Sequence, residues 1–68
     1  QRYIKPDENN NYIRGKVRAI NSKNNIIYTS NKEIVLLDLE DVFCIDSDDL
    51  IVIGKREKLG ELHKLRNK

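Results

Sequence analysis

Short apolar runs alternate with polar turn-formers along most of this chain. The runs occupy residues 17–20, 26–28, 34–37, 42–45 and 50–53, so their starts are nine, eight, eight and eight positions apart. Between them lie Asn21-Ser22-Lys23-Asn24-Asn25, Ser30-Asn31-Lys32 and Asp46-Ser47-Asp48-Asp49. Evenly spaced β-branched and aliphatic segments bounded by Asn, Asp and Ser predict a mainly β module with strands near these runs. Two architectures suit the spacing. One is a small antiparallel β meander or barrel; the other is a short-stranded β-solenoid, whose strands turn repeatedly in one sense and stack.

The last two β runs are apolar at every position: Val42-Phe43-Cys44-Ile45 and Leu50-Ile51-Val52-Ile53. A strand wetted on one face alternates, so both faces of these two strands call for cover. In a short chain, the tail is expected to cover one face and another domain or subunit the rest. After Gly54 the period changes. Leu59, Leu62 and Leu65 recur three apart among charged residues, which predicts an amphipathic C-terminal helix. Gly60 weakens that helix by about 1 kcal/mol relative to Ala. Lys64, Arg66 and Lys68 fall at its C-terminal end, where the helix dipole favours cations. The expected organisation is a lead-in over residues 1–12, interrupted by Pro6, a β module over 13–54 and the helix over 55–68.

Composition narrows the function. At 68 residues, the chain holds one domain at most, and a domain of that size is marginal alone. It contains no Met and begins at Gln1, which suggests a piece of a larger protein. The net charge of +2 is too small to argue for nucleic acid by itself. Charge is unevenly placed: six acids and no base lie between Asp38 and Asp49, and six bases against Glu57 and Glu61 follow from Lys55. One cysteine, Cys44, excludes an internal disulfide and a multi-cysteine zinc site, and its apolar setting reads as a small buried side chain. No apolar run approaches the ~20 residues of a spanning helix, and nothing reads as a signal peptide, so the expected location is cytoplasmic with no membrane partner.

No catalytic constellation emerges. Asp46, Asp48 and Asp49 look like the start of a calcium loop, but the sixth position is Ile51 instead of Gly, although Glu57 stands twelfth. The insert reads as a turn in which Asp and Ser bond to backbone N–H groups. His63 has no nucleophile or orienting carboxylate at a fixed spacing. Gly15, Gly54 and Gly60 form no phosphate-cradling motif. Tyr3, Tyr12 and Tyr28 make no aromatic ladder with the basic residues. The expected site residues are therefore none for catalysis, cofactor or metal. A nucleic-acid-binding β-domain with a basic tail is the rival reading, and it predicts affinity that falls steeply with salt.

Residues 15–65 resemble the C-terminal region of the mannose-1-phosphate guanylyltransferases, the GDP-mannose pyrophosphorylases. Gly15-Lys16-Val17 is similar to the opening of that region, and Ser22-Lys23-Asn24-Asn25-Ile26 to its turn. Residues 39–52, LEDVFCIDSDDLIV, resemble its strand, acidic turn and second strand. Lys55-Arg56 and the spaced leucines resemble its closing segment. Cys44 stands where an aliphatic residue is usual, and Leu50 where a small residue often follows the Asp. The resemblance implies a left-handed β-helix-like module that is itself non-catalytic. It implies a parent that joins GTP and mannose 1-phosphate with Mg²⁺ to give GDP-mannose. The partners implied are the N-terminal nucleotidyltransferase domain and further copies of the chain in a homo-oligomer. Related enzymes for other sugars carry similar tails, so the sugar stays open.

Overall fold

The computed structural model describes residues 5–62. Four strands make one sheet in the order β1-β2-β3-β4: β1 Tyr12–Ile20, β2 Ile26–Leu37, β3 Val42–Asp46 and β4 Ile51–Lys55. β1 pairs with β2 and β2 with β3 in parallel; β3 pairs with β4 antiparallel. Consecutive parallel strands normally need a long crossover. Here residues 21–25 and 38–41 suffice, because β1 and β2 each bend midway and return the chain toward its starting side.

The bend is visible in the register. Tyr12, Ile13 and Arg14 pair with Ile26, Ile27 and Tyr28, an offset of 14; Lys16 to Ile20 pair with Glu33 to Leu37, an offset of 17. Residues 29–32 of β2 therefore oppose Gly15 alone. The expected turn at Ser30-Asn31-Lys32 survives inside one long strand as this bulge. The Thr29 hydroxyl accepts from the Lys32 N–H at 3.1 Å and lies 3.2 Å from the Lys32 carbonyl oxygen. Gly15, at φ 103°, is required here: a Cβ would lie 2.4 Å from the Thr29 carbonyl oxygen.

The core sits between the two halves of the bent strands. Ile27, Leu36 and Cys44 are buried together, with Val17, Ala19 and Ile34 packed against them. Ile27 and Cys44 come from the first side, Val17, Ala19, Ile34 and Leu36 from the second. The eight-to-nine-residue spacing of the apolar runs is the distance from one side to the other.

The acidic insert makes the hairpin between β3 and β4. The Ser47 N–H donates to the Leu50 carbonyl at 3.0 Å, and Asp48 takes φ 72°. That hairpin reverses the chain, and β4 returns alongside β3 instead of crossing to the second side. β3 is well covered, with Phe43, Cys44 and Asp46 buried; β4 leaves Ile51 and Ile53 48% and 69% exposed.

Of the amphipathic helix expected over 55–68, the described residues reach Leu62: Arg56–Glu61 form a 3-10 helix in which Arg56 and Leu59 are half-buried, as is Leu62 just after it. The three-residue spacing of Leu59 and Leu62 suits a helix of three residues per turn. His63, Lys64, Leu65, Arg66 and Lys68 lie outside the described residues, as does Tyr3. Among the described residues no helix is long and apolar enough to cross a membrane.

Candidate functional site

Two columns of left-handed residues mark the corners where the chain turns. Asn10, Asn24 and Asp41 have φ of 63°, 63° and 60°; Asn21 and Asp38 have 50° and 54°. Asn and Asp tolerate this conformation better than other non-glycine residues. Their side chains continue the stacking. Asn10 donates to Asn24, and Asn24 to Asp41. Asn21 donates to Asp38 at 2.7 Å.

Inside these corners runs a buried amide ladder. Asn11 and Asn25 are both fully buried. The Asn25 side chain donates to Asn11 Oδ1 at 3.0 Å and to the Leu39 carbonyl at 3.2 Å, while its own Oδ1 accepts the Val42 N–H at 2.9 Å. Asn11 Nδ2 donates to the Ser22 carbonyl at 2.9 Å. Each amide thus bonds to the backbone of the next turn of chain, where no regular strand pairing reaches. Asp7 organises the segment before it: its Oδ1 accepts the N–H groups of Asn9 and Asn11. Burial pushes the Asp7 carboxyl up, but these bonds outweigh it and hold the carboxyl below its usual range. Asn11 falls in the segment expected to be a lead-in with nothing to bury. Its buried group is the amide, and the repeated Asn-Asn pair at 10–11 and 24–25 is the sequence signal that marks it.

The acidic residues do not converge on one point. Asp46 is buried beneath the bulge, where Oδ2 accepts from the Thr29 hydroxyl at 2.8 Å. The Asp48 N–H donates to Asp46 Oδ1 at 3.1 Å, and the Lys32 ammonium lies 3.3 Å from the same oxygen. The Thr29 bond is the main influence lowering the Asp46 pKa, against the upward push of burial, and Asp48 and Lys32 add to it. The Asp48 carboxylate turns instead to the Ser30 hydroxyl at 2.8 Å. Among the described residues, no three His, Cys, Asp or Glu side chains gather to hold a metal ion. The Asp46 cluster therefore ties the bulge of β2 to the end of β3, one turn of chain to the next. Burial raises the pKa of the Cys44 thiol, and the Asp46 charge raises it further. That favours the thiol over the nucleophilic thiolate.

A surface recess of about 680 Å³ is lined by Glu40, Asp41, Val42, Lys55, Arg56 and Glu57. Its charges are mixed. Arg56 is committed within the fold: its guanidinium donates to Asn24 Oδ1 at 2.8 Å and lies 5.5 Å from the Tyr12 ring centre. Arg14 stacks similarly over Tyr28 at 5.7 Å. Tyr12 and Tyr28 are thus seats for arginines. Gly54 lies under the Phe43 ring, where a Cβ would come within 3.1 Å of a ring carbon. Gly60 has open space around it.

No protein-family profile matches the chain, and no curated protein matches it. Among solved structures, the chain is similar in fold to the crystal structure of mannose-1-phosphate geranyltransferase from Thermus thermophilus. The TM-score is 0.75 at 13% identity, over 90% of this chain. The chain spans 19% of the length of that protein. At this identity the likeness is one of fold.

Proposed function

We propose that this chain is a non-catalytic C-terminal packing and association module of a mannose-1-phosphate nucleotidyltransferase. The observation that carries the proposal is the fold likeness to a part of a protein described as acting on mannose 1-phosphate, together with the ordered motifs over residues 15–65. The offsets of 14 and 17 and the stacked corner columns support a short β-solenoid that begins near Tyr12. In this reading, the Asn and Asp ladders make the module a rigid platform. GTP, mannose 1-phosphate and Mg²⁺ belong to the parent's nucleotidyltransferase domain, against which the platform packs. The described side chains support that division of labour, since their buried polar groups are spent on joining one turn of chain to the next.

The test uses the chain with and without the parent's nucleotidyltransferase domain supplied as a separate polypeptide. The chain alone is expected to form no GDP-mannose from GTP and mannose 1-phosphate. It is expected to bind the domain and raise its melting temperature. Turnover by the chain alone, or no binding to the domain, overturns the proposal.

A further inference from the structure

One spacing governs the joins between successive turns of chain beyond the bulge. Lys16 to Ile20 pair with Glu33 to Leu37, and Ile26 to Thr29 with Phe43 to Asp46, each partner 17 residues on. Asn21 bonds to Asp38, Ser22 to Leu39, Asn24 to Asp41 and Asn25 to Val42 at the same separation of 17. The spacing stops at the hairpin, where β4 turns back along β3. Two surfaces are left open. Among the described residues, the far edge of residues 33–37 pairs with no further strand. Ile51 and Ile53 pair with Asp46 and Cys44, so their side chains share the core-facing side of the sheet. They are nevertheless 48% and 69% exposed.

Residues 51–58 carry the pattern that this open edge calls for. At the spacing of 17, Ile51, Val52 and Ile53 correspond to Ile34, Val35 and Leu36. Ile34 and Leu36 pack in the core, so Ile51 and Ile53 would extend that core by one layer. Lys55 and Lys58 correspond in the same way to Asp38 and Asp41. Both corner columns run from an Asn donor and end on a carboxylate, Asn21 to Asp38 and Asn24 to Asp41. A carboxylate only accepts and a lysine ammonium only donates. Each lysine therefore continues a column that now stops.

We infer that residues 50–58 have a second seat in the same chain. The turn closed by Ser47 and Leu50 opens, and the segment crosses to the second side as a third layer, parallel to residues 33–37. The inference rests on the β-solenoid reading proposed above. In the second seat Ile51 and Ile53 are buried over Ile34 and Leu36, and Lys55 and Lys58 meet Asp38 and Asp41. The exchange has a cost. It strips Gly54 from the Phe43 ring and breaks the Arg56 bonds to Asn24. It sets Glu57 beside Glu40, a like-charge pair, and puts lysines at corners where Asn and Asp suit left-handed backbone better. The hairpin is therefore the major state and the third layer a minor one in exchange with it. Leaving the hairpin uncovers the buried Phe43, so the exchange couples that face of β3 to the open edge of the second side.

The test compares rates of intramolecular disulfide formation in a glutathione buffer for cysteine pairs placed in a Cys44→Ala chain. Adjacent strands lie about 4.8 Å apart, within disulfide range. Arg18→Cys with Val35→Cys joins partners of β1 and β2 and is expected to link readily. Val35→Cys with Val52→Cys is expected to link at least about tenfold faster than Arg18→Cys with Val52→Cys. That last pair stays two strands apart in the second seat, so it reports linkage through general unfolding. Lys55→Glu is expected to slow the Val35–Val52 linkage about threefold or more, and Asp38→Asn, which suits its corner, to restore part of the rate. Equal rates for the Val35–Val52 and Arg18–Val52 pairs overturn the second seat, while ready Arg18–Val35 linkage keeps the solenoid reading. A Val35–Val52 linkage that Lys55→Glu leaves unchanged overturns the register. Failure of the Arg18–Val35 pair to link overturns the solenoid reading, and the second seat with it.

Discussion

The Asn25 side chain donates to the Asn11 side-chain oxygen at 3.0 Å, and both residues are fully buried. Asn25 also accepts the Val42 N–H, so one amide bonds to both neighbouring turns of chain. Asn25→Ala leaves the Val42 N–H without that partner and removes the amide donor from Asn11. A buried polar group left unpaired costs about 1–3 kcal/mol. The expected loss of unfolding free energy is in that range, measured by urea denaturation. Ser47→Ala, at an exposed hairpin position, is expected to change stability by less than about 0.5 kcal/mol. Equal effects of the two substitutions would mean that the ladder does not join the turns.

Gly15 is the point at which β1 accommodates the bulge of β2. Its φ of 103° and the 2.4 Å approach of the Thr29 carbonyl to a Cβ position exclude any side chain without movement. Gly15→Ala is expected to destabilise the chain by at least about 2 kcal/mol. Gly60→Ala meets nothing within 4 Å and is expected to be neutral or stabilising. Thermal melts of the two variants side by side check the contrast.

What was legible in the sequence depends on which signals are local. The apolar runs at 26–28 and 42–45, and 51–53 of the last run, fall in strands because β-branched residues between Asn and Asp clusters carry their own signature. The acidic insert reads correctly as a turn from its composition. The joining of runs 26–28 and 34–37 into one strand was not legible. It depends on Thr29 closing on Lys32 and on parallel pairing with β1, neither of which has a local pattern. The buried amides were hidden for a related reason. Asn in a polar stretch ordinarily marks a solvated loop, and only the 14-residue repeat of the Asn-Asn pair separates Asn11 and Asn25 from that reading. The reversal at β4 was hidden too, since residues 50–53 stand at the spacing that would have carried them to the second side.

Cys44 offers a probe of the core. Burial and the nearby Asp46 charge both raise its pKa, so the thiolate is scarce at neutral pH. Labelling by a thiol reagent at pH 7.5 is expected to be slow in the folded chain and to accelerate at least about tenfold in denaturant. Ile27→Ala removes a fully buried neighbour in the same cluster and is expected to cost about 2–5 kcal/mol. It should raise the native labelling rate in step with the lost stability. Fast labelling of the folded wild-type chain would contradict the burial of this thiol.

Asp46 makes stability depend on acid. Its folded pKa lies below the ordinary value, chiefly through the Thr29 hydroxyl, with burial opposing and the Asp48 N–H and Lys32 adding to the effect. A carboxyl with a depressed folded pKa binds protons more readily in the unfolded chain. Its contribution is therefore fully present above the unfolded value of about 3.9 and is lost as pH falls through the folded pKa. The wild-type chain is expected to hold its Asp46-dependent stability from neutrality to about pH 5 and to lose it below about pH 4. Asp46→Asn keeps the shape but not the charge. It is expected to be less stable at pH 7 and to show a shallower fall in acid, with the residual slope coming from Asp7, whose carboxyl is also depressed. Thr29→Val removes the donor that acts most strongly on the carboxylate and is expected to move the acid transition upward in pH. Chemical denaturation at a series of pH values measures both. Identical acid profiles for the wild type and Asp46→Asn would mean that the join between the bulge and β3 owes nothing to the charge.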